Sequence, residues 1–265
     1  MKRAPKVTCY CFTNETSQHE ARIISGYSDG LICLWFEDQS TSEHLTYDFA
    51  AFIGHTNRIN HLMVIPDTID LLSVSNDCTM RQWSMKNFMC TRLFKFADPI
   101  TYALYHQPKN LIFCSSWDKQ IRAIDYETGV VESSFVGARE AILTIHIADN
   151  KIFLAGQDPV IRAYDLETGK DQIFEGHRGW VLVLATYRAV NEHGAVVTNW
   201  LLSGSDDNTI RIWNLRDGKV LEELVGHHNG VTGLCFANNE LFSCSSDHYI
   251  ICWDVDEIRD RIKEK

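Results

Sequence analysis

Histidine, serine and aspartate recur together along this chain, and in that combination they could build a hydrolytic triad, with serine as nucleophile and histidine as its base. Three glycine–histidine pairs, Gly54-His55, Gly176-His177 and Gly226-His227, each precede a short segment rich in serine and aspartate. The repetition argues against catalysis. A nucleophilic serine is expected once, on an exposed strained turn, whereas three copies at a repeat period are building material. No phosphate-binding glycine loop and no Gly-x-Ser-x-Gly segment occurs in the sequence. Metal chemistry is equally poorly served. The nine cysteines include no Cys-x-x-Cys pair, Cys9-x-Cys11 alone is weak, and His227-His228 with His248 supplies too few ligands. The expectation is a non-enzymatic protein with no cofactor and no metal.

Composition narrows the partners. The chain has 265 residues, 45% apolar and 23% charged, which fits one large globular domain or two small ones. Lys+Arg 25 against Asp+Glu 35 leaves a net charge of −10, whereas nonspecific binding to nucleic acid or anionic membrane draws on excess cations. Nucleic acid is therefore not expected as a partner, and no small-molecule substrate is indicated. No run approaches 18 uninterrupted apolar residues, so no membrane insertion is expected. Asn14, Glu15, Thr16, Gln18 and His19 follow the basic start too closely for a secretory apolar core. An odd number of cysteines without a pairing framework suits a reducing compartment: the cytoplasm, with the nucleus as the alternative. Cys235 in GLCF and Cys252 in IICW are expected to pack as small hydrophobes.

The elements that position these residues follow from self-similarity. One cassette occurs six times: a small or polar pair, a turn centred on aspartate, then alternating apolar residues ending in a large side chain. It reads ISGYSDGLICLW, LSVSNDCTMRQW, FCSSWDKQIRAI, FLAGQDPVIRAY, LSGSDDNTIRIW and FSCSSDHYIICW. The turn aspartates are Asp29, Asp77, Asp118, Asp158, Asp207 and Asp247, separated by 48, 41, 40, 49 and 40 residues. That period belongs to four-strand units of roughly 40–45 residues. Runs such as IRIW and IICW favour strands, and an aspartate followed by Gly, Lys, Asn or His suits a tight hairpin. RINHLMVI, ITYALYH, AILTIHIA, WVLVLATY and VTGLCFA read as first strands, and VVESSFV and KVLEELV as polar outer ones.

With the glycine–histidine pairs upstream and Trp83, Trp213 and Trp253 at the cassette ends, the pattern resembles the WD40 repeat, over nearly all of residues 6–254. The resemblance implies an all-β WD40 β-propeller of six four-strand blades across residues 6–254. It also implies a hydrogen-bonded chain inside each complete blade: His55–Ser73–Asp77–Trp83, His177–Ser203–Asp207–Trp213 and His227–Ser243–Asp247–Trp253. Cys114 and Leu154 stand at the serine position of the third and fourth cassettes, so those chains are expected to be broken and their blades less rigid. After Trp253, residues 255–265 carry Val255, Ile258 and Ile262 with acidic residues first and basic ones last, the signature of a short charged helix or tail capped by Asp254. The last blade is accordingly expected to lack its fourth strand. Either six blades close imperfectly under this helix, or the chain is part of a longer propeller.

The resemblance also implies a function class: a scaffold or adaptor binding proteins or peptides on the face where the aspartate hairpins meet the first-strand starts. The positions before the turn aspartates include Asn76, Trp117 and Gln157, and the first-strand positions include Lys6, Arg58, Asn60 and Trp180. Tryptophans and arginines are the residue types that anchor interfaces. Trp117, Trp180, Arg58, Asn60, Gln157, Asn76 and Lys6 are thus the candidate partner-binding residues, with Arg139 and Arg178 adding positive charge nearby. The segment Val190–Ala195 reads as an inserted loop. Trp213-Asn214-Leu215-Arg216 resembles the Trp-Asp-x-Arg pattern of substrate receptors for cullin-type ubiquitin ligases, the alternative function, although Asn214 departs from it.

Overall fold

Hairpins organise the chain, and the turn aspartates make them. In all six cassettes a carboxylate oxygen of the aspartate accepts the backbone N–H two residues on, at 2.9–3.2 Å. The residue after the aspartate must then enter the left-handed region. Gly30, Cys78, Lys119, Asn208 and His248 do so, with φ between 63° and 95°, the geometry of a type I turn closed by a left-handed residue. Pro159 occupies this place in the fourth cassette, and its ring fixes φ near −65°. That hairpin accordingly opens early, its ladder ending at Leu154↔Arg162.

The structure is a computed structural model that describes residues 4–13, 22–38, 46–136, 138–190 and 196–264. It divides into two compact units, Met1–Val136 and Gly137–Lys265. The first unit holds three antiparallel four-stranded sheets: β1 (Val7–Phe12), β2 (Ile23–Tyr27), β3 (Ile32–Asp38) and β4 (Thr46–Phe52); β5 (Ile59–Val64), β6 (Asp70–Ser75), β7 (Thr79–Ser84) and β8 (Cys90–Lys95); β9 (Ile100–His106), β10 (Leu111–Ser116), β11 (Gln120–Asp125) and β12 (Val131–Val136). The second unit holds β13 (Ile142–Ala148), β14 (Lys151–Gly156), β15 (Ile161–Asp165) and β16 (Asp171–Phe174); β17 (Val181–Val190), β18 (Val196–Ser205), β19 (Thr209–Asn214) and β20 (Val220–Val225); and a three-stranded sheet, β21 (Val231–Ala237), β22 (Glu240–Ser245) and β23 (Ile250–Asp254). Each is an up-and-down meander, so the fold is all-β with six propeller blades, three per unit, and the last blade has three strands. The expected inserted loop falls on 191–195, outside the described residues.

A sheet with two apolar faces needs a neighbour on each, and the cores lie between successive sheets of a unit. Ile24, Phe52, Ile59, Leu71 and Trp83 join the first sheet to the second. Val74, Met80, Ile100 and Ile112 join the second to the third. In the second unit Phe153, Ile161, Phe174 and Val181 pack with Trp213. One pairing repeats in every four-stranded sheet. The residue three places after the turn aspartate lies opposite a large apolar residue of the fourth strand: Ile32–Phe52, Met80–Phe94, Ile121–Phe135, Ile161–Phe174 and Ile210–Leu224. The first member is at most 1% exposed in all five.

The chain leaves the third strand differently in the sixth sheet. In the second to fifth sheets the reverse turn into the fourth strand uses a left-handed residue four places on: Phe88, Gly129, Gly169 and Gly218, with φ from 60° to 74°. At the corresponding place stands Ile258, for which that conformation is costly. The segment instead continues as helix α1 (Val255–Lys263), with Asp254 accepting from the N–H groups of Asp256 and Glu257. Val255 and Ile258 are buried with Trp200, Leu202 and Leu224, so the helix is part of the second unit's core. One expectation is corrected here. Cys235 and Cys252 are exposed rather than packed, because they lie with Cys244 and Ile250 on the face of the sixth sheet opposite the one that packs on the fifth through Val231 and Leu241.

Candidate functional site

The three histidine–serine–aspartate sets are assembled, and their wiring is that of a triad. His55 Nε2 lies 2.7 Å from Ser73 Oγ and His55 Nδ1 lies 2.7 Å from Asp77 Oδ2. The equivalent distances are 2.6 and 2.8 Å at His177, Ser203 and Asp207, and 2.8 and 2.9 Å at His227, Ser243 and Asp247. The indole N–H fixes one end of each chain. Trp83, Trp213 and Trp253 each donate Nε1–H to the same serine oxygen at 2.7–2.8 Å. A tryptophan can only donate and a carboxylate only accept, so the serine accepts from the indole, and an imidazole that donates Nδ1–H to the aspartate has Nε2 placed to accept the serine's proton.

That arrangement uses up the chemistry. The serines are at most 1% exposed, so nothing can reach the oxygen. Asp77, Asp207 and Asp247 are engaged twice over: one oxygen holds the hairpin, while the other accepts from the histidine and from the N–H of Thr56, Arg178 or His228. Each aspartate therefore pins the loop leaving one sheet to the hairpin of the next. Burial alone would push these carboxyls up, but the hydrogen bonds from Thr79 and His55 at Asp77, and the corresponding donors at Asp207 and Asp247, outweigh it and hold all three below the ordinary range. Burial lowers the His55 pKa despite Asp77 beside it, which keeps the ring neutral. Among the described residues no group of three or more His, Cys, Asp or Glu side chains is placed to hold a metal ion.

The sheets without a histidine are pinned by other means, which sequence reasoning missed. In the first, Trp35 donates to Ser25 at 2.7 Å. In the third and fourth, the turn aspartate pairs with the arginine four residues on: Arg122–Asp118 at 2.5 Å and Arg162–Asp158 at 3.6 Å. The signal was present as WDKQIR and QDPVIR, with Arg at the same offset from Asp. Arg211 sits at that offset too, but there His177 holds the aspartate and Arg211 pairs with Glu223 instead.

The candidate partner-binding residues fall on one end of each sheet. The residue before the turn aspartate donates its N–H to the carbonyl of the residue opening the first strand in every cassette: Ser28 to Lys6, Asn76 to Arg58, Trp117 to Pro99, Gln157 to Ala141, Asp206 to Trp180 and Ser246 to Gly230, at 2.8–3.1 Å. In the first unit this brings Arg58 beside Asn76 and presents Trp117, 49% exposed. Lys6 and Arg58 are exposed. In the second unit it presents Trp180, 48% exposed, and a partly buried Gln157, with Arg139 and Arg178 exposed.

Asn60 has a further duty. It is the extra residue of a β-bulge, like Thr8, Thr101, Leu143, Leu182 and Thr232 in the other first strands. A bulge re-aims its side chain. Asn60 Nδ2 donates to Asn76 Oδ1 at 2.8 Å and to the Ile100 carbonyl of the next sheet at 2.7 Å, while Thr8 Oγ1 donates to the Ile59 carbonyl at 2.6 Å. The bonds to the Ile100 and Ile59 carbonyls join neighbouring sheets. Tyr249, 66% exposed two residues after Asp247, was not singled out from sequence. Arg216 is exposed on the turn after β19.

Known proteins share its repeats and its fold. Residues 48–84, 170–214 and 218–254 match the family model described as "WD domain, G-beta repeat". The chain is similar to the nuclear distribution protein PAC1 of Coccidioides posadasii, 27% identical over 215 residues, covering 77% of this chain and 40% of that one. It is similar to the pre-mRNA-splicing factor PRP46 of Candida albicans, 32% identical over 82 residues, or 30% and 19% of the two chains. Human apoptotic protease-activating factor 1 is 26% identical over 219 residues, 78% of this chain and 17% of that one. The chain thus spans well under half the length of these relatives. The crystal structure of the computationally designed Ika8 protein superposes with a TM-score of 0.71 at 22% identity, over 95% of this chain and 71% of that one.

Proposed function

Because the chain is a WD40-repeat protein whose recurring chemical groups are spent inside its blades, we propose that it is a non-enzymatic scaffold that holds other proteins or peptides at the loop ends of its sheets. The observation that carries this reading is the half-exposure of Trp117 and Trp180. Each belongs to a hydrogen-bonded pair at the hairpin end of its sheet, where its backbone is held. Large apolar rings fixed on a rigid frame lose little entropy on contact and supply most of the energy of an interface. Arg58, Lys6 and Asn76 lie at the same hairpin ends of their own sheets in the first unit, as Gln157 does in the second, and Arg178 is exposed there. This local positive charge on an acidic protein favours an acidic or phosphorylated partner. Asn60 contributes by positioning Asn76.

The related proteins are described as a splicing factor and a nuclear distribution protein, in keeping with a role in assemblies. No helix among the described residues is long and apolar enough to cross a membrane. We place the protein in the cytoplasm, with the nucleus as the alternative. The test is affinity purification with the wild type and the Trp117→Ala, Trp180→Ala double variant. Both tryptophans are half exposed, so the variant is expected to melt within a few degrees of wild type while losing its captured partners. Capture that survives in full would remove these loop ends from the account.

A further inference from the structure

We propose that the fourth sheet carries a binding site for an imidazole group, in the cavity between Ala138, Leu154 and Asp158. The other sheets define the place. In the second, fifth and sixth, the histidine stands three residues before the one that opens the first strand: His55 before Arg58, His177 before Trp180 and His227 before Gly230. In the third sheet that place belongs to Phe96, whose ring lies under the Arg122 guanidinium, 5.6 Å from it, while Arg122 satisfies Asp118. A ring thus fills the place in each of these four sheets. In the fourth sheet it belongs to Ala138, three residues before Ala141, and Leu154 stands at the serine position. Without a ring there, Ala138, Leu154 and Asp158 line a cavity with Ile142 and Val160, about 230 Å³ of free space that runs out into solvent.

The polar atoms of this cavity match an imidazole. In the sister sheets the aspartate Oδ2 lies 2.7–2.9 Å from the histidine Nδ1. Asp158 Oδ2 is buried and accepts no hydrogen bond from the described residues; Arg162 comes no nearer than 3.6 Å, and the other oxygen holds the hairpin through the Val160 N–H. Arg162 Nε, on the same wall, is likewise buried without an acceptor. Unpaired groups of this kind are costly, and a carboxylate oxygen beside an N–H is matched by a ligand with one donor and one acceptor. Neutral imidazole has both on a small ring whose carbon edge suits Ile142, Leu154 and Val160. A second cation is poorly suited, because Arg162 already pairs with the carboxylate. Only the inner end of the cavity is enclosed, so the ring keeps an edge in solvent, by which a histidine side chain of a partner would carry it.

Thermal unfolding of the full chain at about pH 8, where imidazole is neutral, is the test. Imidazole at about 100 mM should raise the melting temperature by a few degrees. N-methylimidazole, the same ring without its N–H donor, should not. Ala138→His supplies the ring from the chain itself, so it should melt higher than wild type and no longer respond to imidazole. A capped glycyl-histidyl-glycine peptide that acts as imidazole does identifies a histidine side chain as the occupant, and a response to imidazole alone identifies a small free azole; either supports the site. The Trp117→Ala, Trp180→Ala variant should respond as wild type does, since the site owes nothing to the loop-end tryptophans. No rise with imidazole, an equal rise with N-methylimidazole, or an undiminished response in Ala138→His would overturn the inference.

Discussion

At the scale of single residues, each buried chain is only as strong as its serine. Ser203 accepts from Trp213 and donates to His177, with all three groups at most 6% exposed. Ser203→Ala strands two buried polar groups, and leaving each unsatisfied costs about 1–3 kcal/mol. The expected loss is about 2–4 kcal/mol in denaturant unfolding, against a smaller loss for Ser25→Ala, which frees only Trp35. Equal losses would mean that the histidine link adds nothing. Acid sensitivity has a residue-scale origin as well. His61 is partly buried in a stack on Tyr102, ring centroids 3.7 Å apart, and desolvation of its ring pushes its pKa down from 6.5 to about 4. The folded pKa lies below the unfolded one, so the unfolded chain takes up the proton first and stability falls as pH drops from about 6.5 toward 4. At pH 5 the loss is about 2 kcal/mol. His55 acts in the same direction, and the depressed Asp77, Asp207 and Asp247 extend the loss below pH 3.8. His61→Phe should therefore show a flatter Tm against pH between 7.5 and 5 than wild type, and parallel curves would refute this origin. The tetrads were legible in the sequence because their spacing repeats. Arg122 and Arg162 were not, since only coordinates show that the arginine swings to the aspartate when histidine is missing.

At the scale of elements, the backbone at two turn positions decides where a strand goes next. Gly169 and Gly218 both hold φ near 70° in the turns before β16 and β20. A Cβ on Gly169 meets nothing within 4 Å, whereas one on Gly218 would lie 2.9 Å from the Ile173 carbonyl. Gly169→Ala should cost about 1–2 kcal/mol, the left-handed penalty alone, and Gly218→Ala clearly more, read from paired urea titrations. Matching costs would show that the contact is relieved without strain. Strand positions such as β9 and β21 were readable from alternation, and the α1 helix from its apolar spacing and its aspartate cap. The bulges were not, because a bulge is a mismatch between two strands and leaves no mark on either alone. Pro159 carried a legible warning that the fourth hairpin would open early.

For the whole molecule, the period of the turn aspartates announced the blades, but which loop residues face a partner depends on exposure that periodicity does not encode. Trp117 and Trp180 stood out as aromatics without a place in the repeat, whereas Asn60 proved to be a joint between sheets and Tyr249 passed unnoticed. On the proposed function the molecule's labour is divided: the histidine, serine, aspartate and tryptophan chains hold the blades, and the loop tryptophans are to hold the partner. The most direct measurement is the affinity of an identified captured partner for two variants at a temperature where both are folded. Ser203→Ala should bind as wild type does despite its lower Tm, and Trp117→Ala with Trp180→Ala should lose binding at a near-normal Tm. The reverse pattern, with binding lost on removal of the buried serine and kept without the tryptophans, would contradict the account.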